Sequence, residues 1–138
     1  PFEIGKANIL RDGSDVCIAA TGVMVYYALV AAETLSKKGI SAEVANHHTL
    51  KPFDAKQVVK SARKCGALVT AEEHQKFGGL RAACAEVLGE QQPVPLQYVA
   101  VEDTFGESGK PDLLLKKYGL TAEHVVKKAE AAVKMKGR

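Results

Sequence analysis

Val16-Cys17-Ile18-Ala19-Ala20-Thr21-Gly22-Val23-Met24-Val25-Tyr26-Tyr27-Ala28-Leu29 is the stretch whose reading decides the fold. Its first five residues form an unbroken apolar run, the pattern of a short strand buried on both faces. Thr21-Gly22 breaks the run. Beyond it the apolar residues recur at Val25, Ala28, Leu29, Ala32 and Leu35, which is helical spacing. The stretch therefore predicts a strand, a tight turn and a helix. In an open α/β sheet such a turn lies at the carboxyl end of the strands, where ligands usually bind.

The rest of the chain repeats this unit. Upstream, residues 6–10 suit a short strand, closed by the turn Arg11-Asp12-Gly13-Ser14. A link this short holds no crossover helix, so the residues alone predict an antiparallel hairpin with the strand that starts at Val16. Downstream, Lys37-Lys38-Gly39 ends the first helix, with cations at its negative end and a glycine for the left-handed cap. Residues 41–46 read as a strand. Asp54 is placed to cap a helix over 55–64, with Val58, Val59 and Ala62 inward and Gly66 ending it. Residues 67–71 are again a short buried strand, and a helix follows over 80–88. Gln92-Pro93-Val94-Pro95 leads into a strand over 96–101. Pro111 suits the start of a short helix over 112–117, which Gly119 closes. Thr121 is placed to cap a last amphipathic helix with Val125, Val126, Ala129, Ala132 and Val133 as its buried stripe. Strands alternating with helices predict a mainly parallel sheet covered on both faces. The spacing leaves the strand order open.

A length of 138 residues predicts a single domain, 1–138. Hydrophobic residues at 46% and charged residues at 25% are ordinary globular values, sufficient for one core. The formal charge is +3, and the lysines are scattered, so no nucleic-acid face is expected. Cys17, Cys65 and Cys84 have no metal-type spacing and read as free thiols in a reducing compartment, the cytoplasm. No signal peptide or membrane span is read; the longest apolar stretch ends at Glu33. The sequence opens at Pro1 without a methionine, which predicts a fragment or a split part of a longer enzyme.

Chemistry-bearing motifs are few. Thr21-Gly22 either offers backbone N–H groups to an anion or is a structural cap and turn. Gly106-Glu107-Ser108-Gly109-Lys110-Pro111 fails as a phosphate-binding loop: its glycine spacing is wrong, and Pro111 stands where Ser or Thr should hold magnesium. Adjacent His47 and His48 project to opposite sides of an extended chain, so no metal site is expected from them with His74 and the cysteines. Glu72-Glu73-His74 is the richest titratable cluster and follows a buried strand; it suits acid–base work, ligand binding or structural hydrogen bonding. No nucleophile stands beside a base, and no catalytic residue is expected in this chain.

The succession Ala20-Thr21-Gly22, Asn46 with His48-Thr49-Leu50-Lys51-Pro52-Phe53-Asp54, and Thr70-Ala71-Glu72-Glu73-His74 with Phe77-Gly78-Gly79-Leu80 resembles the C-terminal domain of transketolase and its thiamine-dependent relatives. Asp103-Thr104-Phe105-Gly106-Glu107-Ser108-Gly109-Lys110-Pro111, with Lys117-Tyr118-Gly119-Leu120-Thr121, looks closest to transketolase itself. Arg81-Ala82-Ala83-Cys84 departs from the small, uncharged run more usual there.

The resemblance implies a three-layer α/β/α domain with a five-stranded mixed sheet in the order 1-3-2-4-5, strand 1 antiparallel. Strand 2 is then central, with a crevice between strands 2 and 4 walled by Thr21, Gly22, Glu73 and His74. That crevice is expected to take a small ligand or, preferentially, to touch the enzyme's other domains. The family moves two-carbon ketol units between sugar phosphates, as in the pentose phosphate pathway, using thiamine diphosphate and a divalent metal, Mg or Ca. Its other domains bind that cofactor, through a loop that begins Gly-Asp-Gly, and this sequence contains no such tripeptide. The expectation is a structural, dimer-supporting or regulatory domain that binds no cofactor and no metal and is inactive alone. Its partners would be the remaining transketolase domains, in a homodimer. The alternatives are the same domain of a 2-oxo acid dehydrogenase β subunit or of deoxyxylulose phosphate synthase, or a free-standing anion-binding module.

Overall fold

The computed structural model describes residues 3–72, 79–100 and 121–137. They form β1 (Asn8–Arg11), β2 (Val16–Ala20), α1 (Met24–Lys37), β3 (Ala42–Asn46), α2 (Ala55–Cys65), β4 (Leu68–Glu72), α3 (Leu80–Gln91), β5 (Leu96–Ala100) and α4 (Ala122–Met135). The expected short helix over 112–117, the loop before it and most of the segment that looked closest to transketolase lie outside the described residues.

The strands make one sheet in the order β1-β3-β2-β4-β5. β2 pairs in parallel with β3 on one side and with β4 on the other, β5 is parallel to β4, and β1 is antiparallel to β3. This is the order the family resemblance implies. The hairpin read from the residues alone is corrected. β2 is central and every residue of it is buried, so both its edges are already taken and β1 pairs beyond β3. The turn that carries the chain there depends on Gly13. A Cβ at that position would lie 2.2 Å from the Ala42 carbonyl carbon and 2.3 Å from the Glu43 nitrogen, distances that no real contact reaches.

Alternation along the strands splits the interior into two. Val16, Ile18 and Ala20 of β2, Val44 of β3 and Val69 and Ala71 of β4 pack under α1 and α4. Cys17, Ala19, Ala45 and Leu68 face the other way, under α2 and α3. Hence the three layers. α1 ends as its sequence demands: Gly39 sits at φ +82°, its N–H donates to Ser36 O, and Ile40 N–H donates to Leu35 O. Asp54 Oδ1 caps α2 by accepting from Gln57 N–H at 3.1 Å, and Gly66 closes it at φ +72°. The details differ in three places. Met24 and Ala31 of α1 are fully buried, whereas Val25 and Leu29 are only partly so. α3 runs on to Gln91. Thr121 occupies the N-cap position of α4, but its side chain makes no capping bond.

Candidate functional site

β2, β3 and β4 end together. Ala20 stands opposite Asn46 and Ala71, Thr21 N–H donates to Ala71 O at 3.2 Å, and His47 N–H donates to Ala20 O at 2.9 Å. α1 follows β2 on one face of the sheet and α3 follows β4 on the other. That divergence makes the switch point of an open α/β sheet. Thr21 and Gly22 follow β2 at that end of the sheet. Glu73 and His74, which continue β4 in the sequence, lie outside the described residues.

The Thr21-Gly22 turn is tighter than an anion site wants. Gly22 is left-handed at φ +57°, a conformation that favours glycine. Met24, Val25 and Tyr26 donate their N–H groups back to the carbonyls of Thr21, Gly22 and Val23 at 3.1–3.2 Å. Three of the donors that an anion would use are thus consumed within the turn. The N-cap position falls on Val23, which has no capping side chain, so Thr21 does not serve as the cap.

Glu72 is the last residue of β4 and only 2% exposed. Its two carboxylate oxygens accept from Leu80 N–H and Arg81 N–H, each at 2.7 Å, so one carboxylate closes the amino end of α3. The adjoining Arg81 side chain lies over the Tyr98 ring, 3.6 Å from its centroid. Burial, with the charge of Glu72 adding to it, pushes the Cys84 thiol up to about 12.

His47 is buried on the α2 side, its ring 5.4 Å from that of Phe53. Burial pulls its pKa down to about 4 in spite of Asp54 and Glu43, whose charges act the other way. Its Nδ1 has no hydrogen-bond partner among the described residues. The neighbouring His48 has its own Nδ1 3.4 Å from Thr49 Oγ1. Among the described residues no group of three His, Cys, Asp or Glu could hold a metal ion. The buried carboxylates are already committed to protein partners. The described residues therefore do not fit the thiamine diphosphate and divalent metal that the resemblance implies for the complete enzyme. Cys17, Cys65 and Cys84 are all buried free thiols. Burial raises each of them, Cys65 to about 11, which makes them poor nucleophiles.

One polar assembly escapes sequence reading. Glu43, in the middle of β3 and 2% exposed, accepts from the Ser61 hydroxyl and pairs with Lys64 Nζ. Lys64 also reaches Asp12 Oδ1 at 2.8 Å, and these partners raise its pKa well above the usual lysine value. A glutamate inside a strand flanked by others was the available signal; nothing in the sequence named Lys64 as its partner.

Residues 5–125 match the family described as Transketolase, C-terminal domain. The 6-deoxy-6-sulfo-D-fructose transketolase subunit SqwH of Clostridium sp. (strain MSTE9) is 54% identical over 98% of this chain and 42% of its own length. The 1-deoxy-D-xylulose-5-phosphate synthase of Desulforudis audaxviator (strain MP104C) is 41% identical over 98% of this chain and 22% of its own. A solved structure titled split gene transketolase, inactive beta4 tetramer, superposes with a TM-score of 0.92 and 50% identity over 98% of this chain and 44% of that one. The chain spans less than half the length of each of these relatives. Among the described residues no helix is long and apolar enough to cross a membrane.

Proposed function

We propose that this chain, which belongs to the transketolase C-terminal-domain family, is that domain of a transketolase whose cofactor machinery lies outside these 138 residues. The complete enzyme would transfer a two-carbon ketol unit between sugar phosphates with thiamine diphosphate and a divalent metal, and this domain would support its assembly. The observation that carries the reading is the 50% identity and 0.92 TM-score to the split-gene transketolase chain, of which this chain spans 44%.

The experiment is reconstitution. The chain is combined with the enzyme's remaining parts, including the one that bears a diphosphate-binding loop, and ketol transfer is followed with cofactor and magnesium present. Activity is expected of the combination and not of either part. Transfer by this chain alone overturns the reading. Two relatives give reasons to widen the donor panel. The sulfofructose enzyme subunit argues for testing 6-deoxy-6-sulfofructose. The deoxyxylulose phosphate synthase argues for pyruvate with glyceraldehyde 3-phosphate, and turnover of that pair alone would favour the synthase reading.

Within the domain, the crevice of Thr21 and Gly22, together with Glu73 and His74, serves as a contact with the enzyme's other parts. The inward-turned N–H groups of residues 24–26 support contact over anion capture. Thr21→Arg should weaken co-elution with the partner polypeptide while leaving the fold intact. Unchanged assembly, with sulfate or a sugar phosphate protecting the chain thermally, would favour the anion site.

A further inference from the structure

We infer that the groove between α2 and α3 binds a small molecule with a phosphate group at each of its two ends, the chemistry of a sugar bisphosphate. The groove has a volume of about 630 Å³ and is lined by Lys56, Val59, Lys60, Arg63 and Lys64 of α2 and by Gln91 of α3. That is the size of a small-molecule pocket. Val59 is its one apolar lining residue and is itself buried, so the polar side chains set the chemistry. None of these residues belongs to the crevice.

The charge in the groove is unbalanced. α2 carries no acidic residue from Ala55 to Cys65, and its cations recur at spacings of three and four, which put like charges side by side on one helix face. Like charges so placed destabilise a helix unless something neutralises them. Only Lys64 is neutralised from within the fold, by Glu43 and by Asp12 at 2.8 Å. Lys56 and Lys60 make no ion pair among the described residues, and no described carboxylate lines the groove. Arg63 Nε donates to the neutral Gln92 Oε1 at 3.1 Å, which holds the guanidinium and leaves its two terminal nitrogens for an anion. A phosphate monoester carries about −1.5 to −2 charges at pH 7, so two such groups, and not one, match Lys56, Lys60 and Arg63 together. Lys56 and Arg63 stand about 10 Å apart along the helix axis. Phosphates at opposite ends of a sugar suit that separation better than the adjoining phosphates of a diphosphate.

The test is calorimetric titration of the chain with fructose 1,6-bisphosphate, fructose 6-phosphate, pyrophosphate and inorganic phosphate. The bisphosphate should bind about tenfold more tightly than any of the other three, and more weakly as salt rises. Lys60→Glu and Arg63→Glu should each weaken it about tenfold or more. Both side chains lie on the exposed face of α2, and Lys60→Gln and Arg63→Gln repeat the comparison without adding a charge. Lys37→Glu, at the end of α1, makes the same change in net charge outside the groove and should leave the affinity near the wild-type value. Absent binding, or equal affinity for one phosphate and two, overturns the inference. So does binding that the α2 variants leave intact, or that Lys37→Glu weakens as much as they do. A poly-glutamate peptide that binds there more tightly than the bisphosphate would assign the groove to an acidic polypeptide and overturn it as well. The titration needs no other part of the enzyme, so its failure is separate from a failure of reconstitution.

Discussion

Under α1 and α4 the sheet presents Val16, Ile18, Val44, Val69 and Ala71, and under α2 and α3 the same strands present Cys17, Glu43, Thr70 and Glu72. The first face is wholly apolar. The second holds every buried polar or charged residue among those described: Glu43, His47, Ser61, Thr70 and Glu72. The apolar face stabilises through area and fit, which are non-directional. The polar face instead binds particular elements to particular places, α2 through Lys64 and α3 through its first N–H groups. It follows that damage to the two faces should differ in kind as well as in size.

The largest effect belongs to the apolar face. Leu35 is fully buried in that cluster, and Leu35→Ala should cost about 3–4 kcal/mol by lost transfer energy and a residual cavity. Chemical denaturation should show that loss, with the difference between variant and wild type constant from pH 7 to pH 5. A loss below about 1 kcal/mol would mean that the face collapses freely and is not tightly packed.

The polar face should respond to pH. His47 has its pKa lowered to about 4 in the fold, against an ordinary 6.5, because burial disfavours the imidazolium. Asp54 and Glu43 favour the charged form and His48 opposes it, but burial outweighs them. Between pH 6.5 and 4 the unfolded chain binds the proton more readily than the folded one. The stabilising contribution is therefore complete above 6.5 and is lost as pH falls towards 4, by about 2–3 kcal/mol. His47→Gln should be less stable at pH 7 and should flatten this acid limb. An acid limb as steep in His47→Gln as in the wild type would assign it to other groups.

Next comes Lys64→Met, which leaves Glu43 buried without its cationic partner. Breaking a buried pair costs about 3–5 kcal/mol, but Lys64 is itself 39% exposed, so about 2 kcal/mol is the expected loss. Adding Glu43→Gln should restore most of it. If the double variant is as unstable as the sum of the singles, the pair does not couple.

Legibility in the sequence follows the same division. The β2–α1 unit, the cap and stop of α2 by Asp54 and Gly66, and most of the α4 stripe were readable, because each depends on local pattern. The partner of β1 was not. A four-residue turn says antiparallel neighbour, while the true constraint is that β3 and β4 occupy both edges of β2. Thr21 and Gly22 do follow β2, but the cap moved to Val23 because the turn closes one residue more tightly. Glu72 was grouped with Glu73 and His74 as suited to acid–base work, ligand binding or structural hydrogen bonding, and the last is the role it takes. Its commitment to α3 joins residues eight and nine positions apart in the sequence, and no period reports that.

The smallest effect has the opposite sign. Thr70 is fully buried on the α2–α3 face, opposite Ala19 in the ladder, and its hydroxyl has no hydrogen-bond partner among the described residues. A buried hydroxyl without a partner bears its desolvation cost with nothing to offset it. Thr70→Val removes that cost at nearly the same volume and should stabilise by up to about 1 kcal/mol. The reciprocal change on the neighbouring residue tests the other face: Val69→Thr puts a hydroxyl among apolar side chains and should destabilise by about 1–2 kcal/mol. The two variants differ by one position in β4, so strand propensity and edge effects cancel and only the face differs. A loss of stability in Thr70→Val would mean that the hydroxyl has a partner in solution, a bound water or another part of the chain.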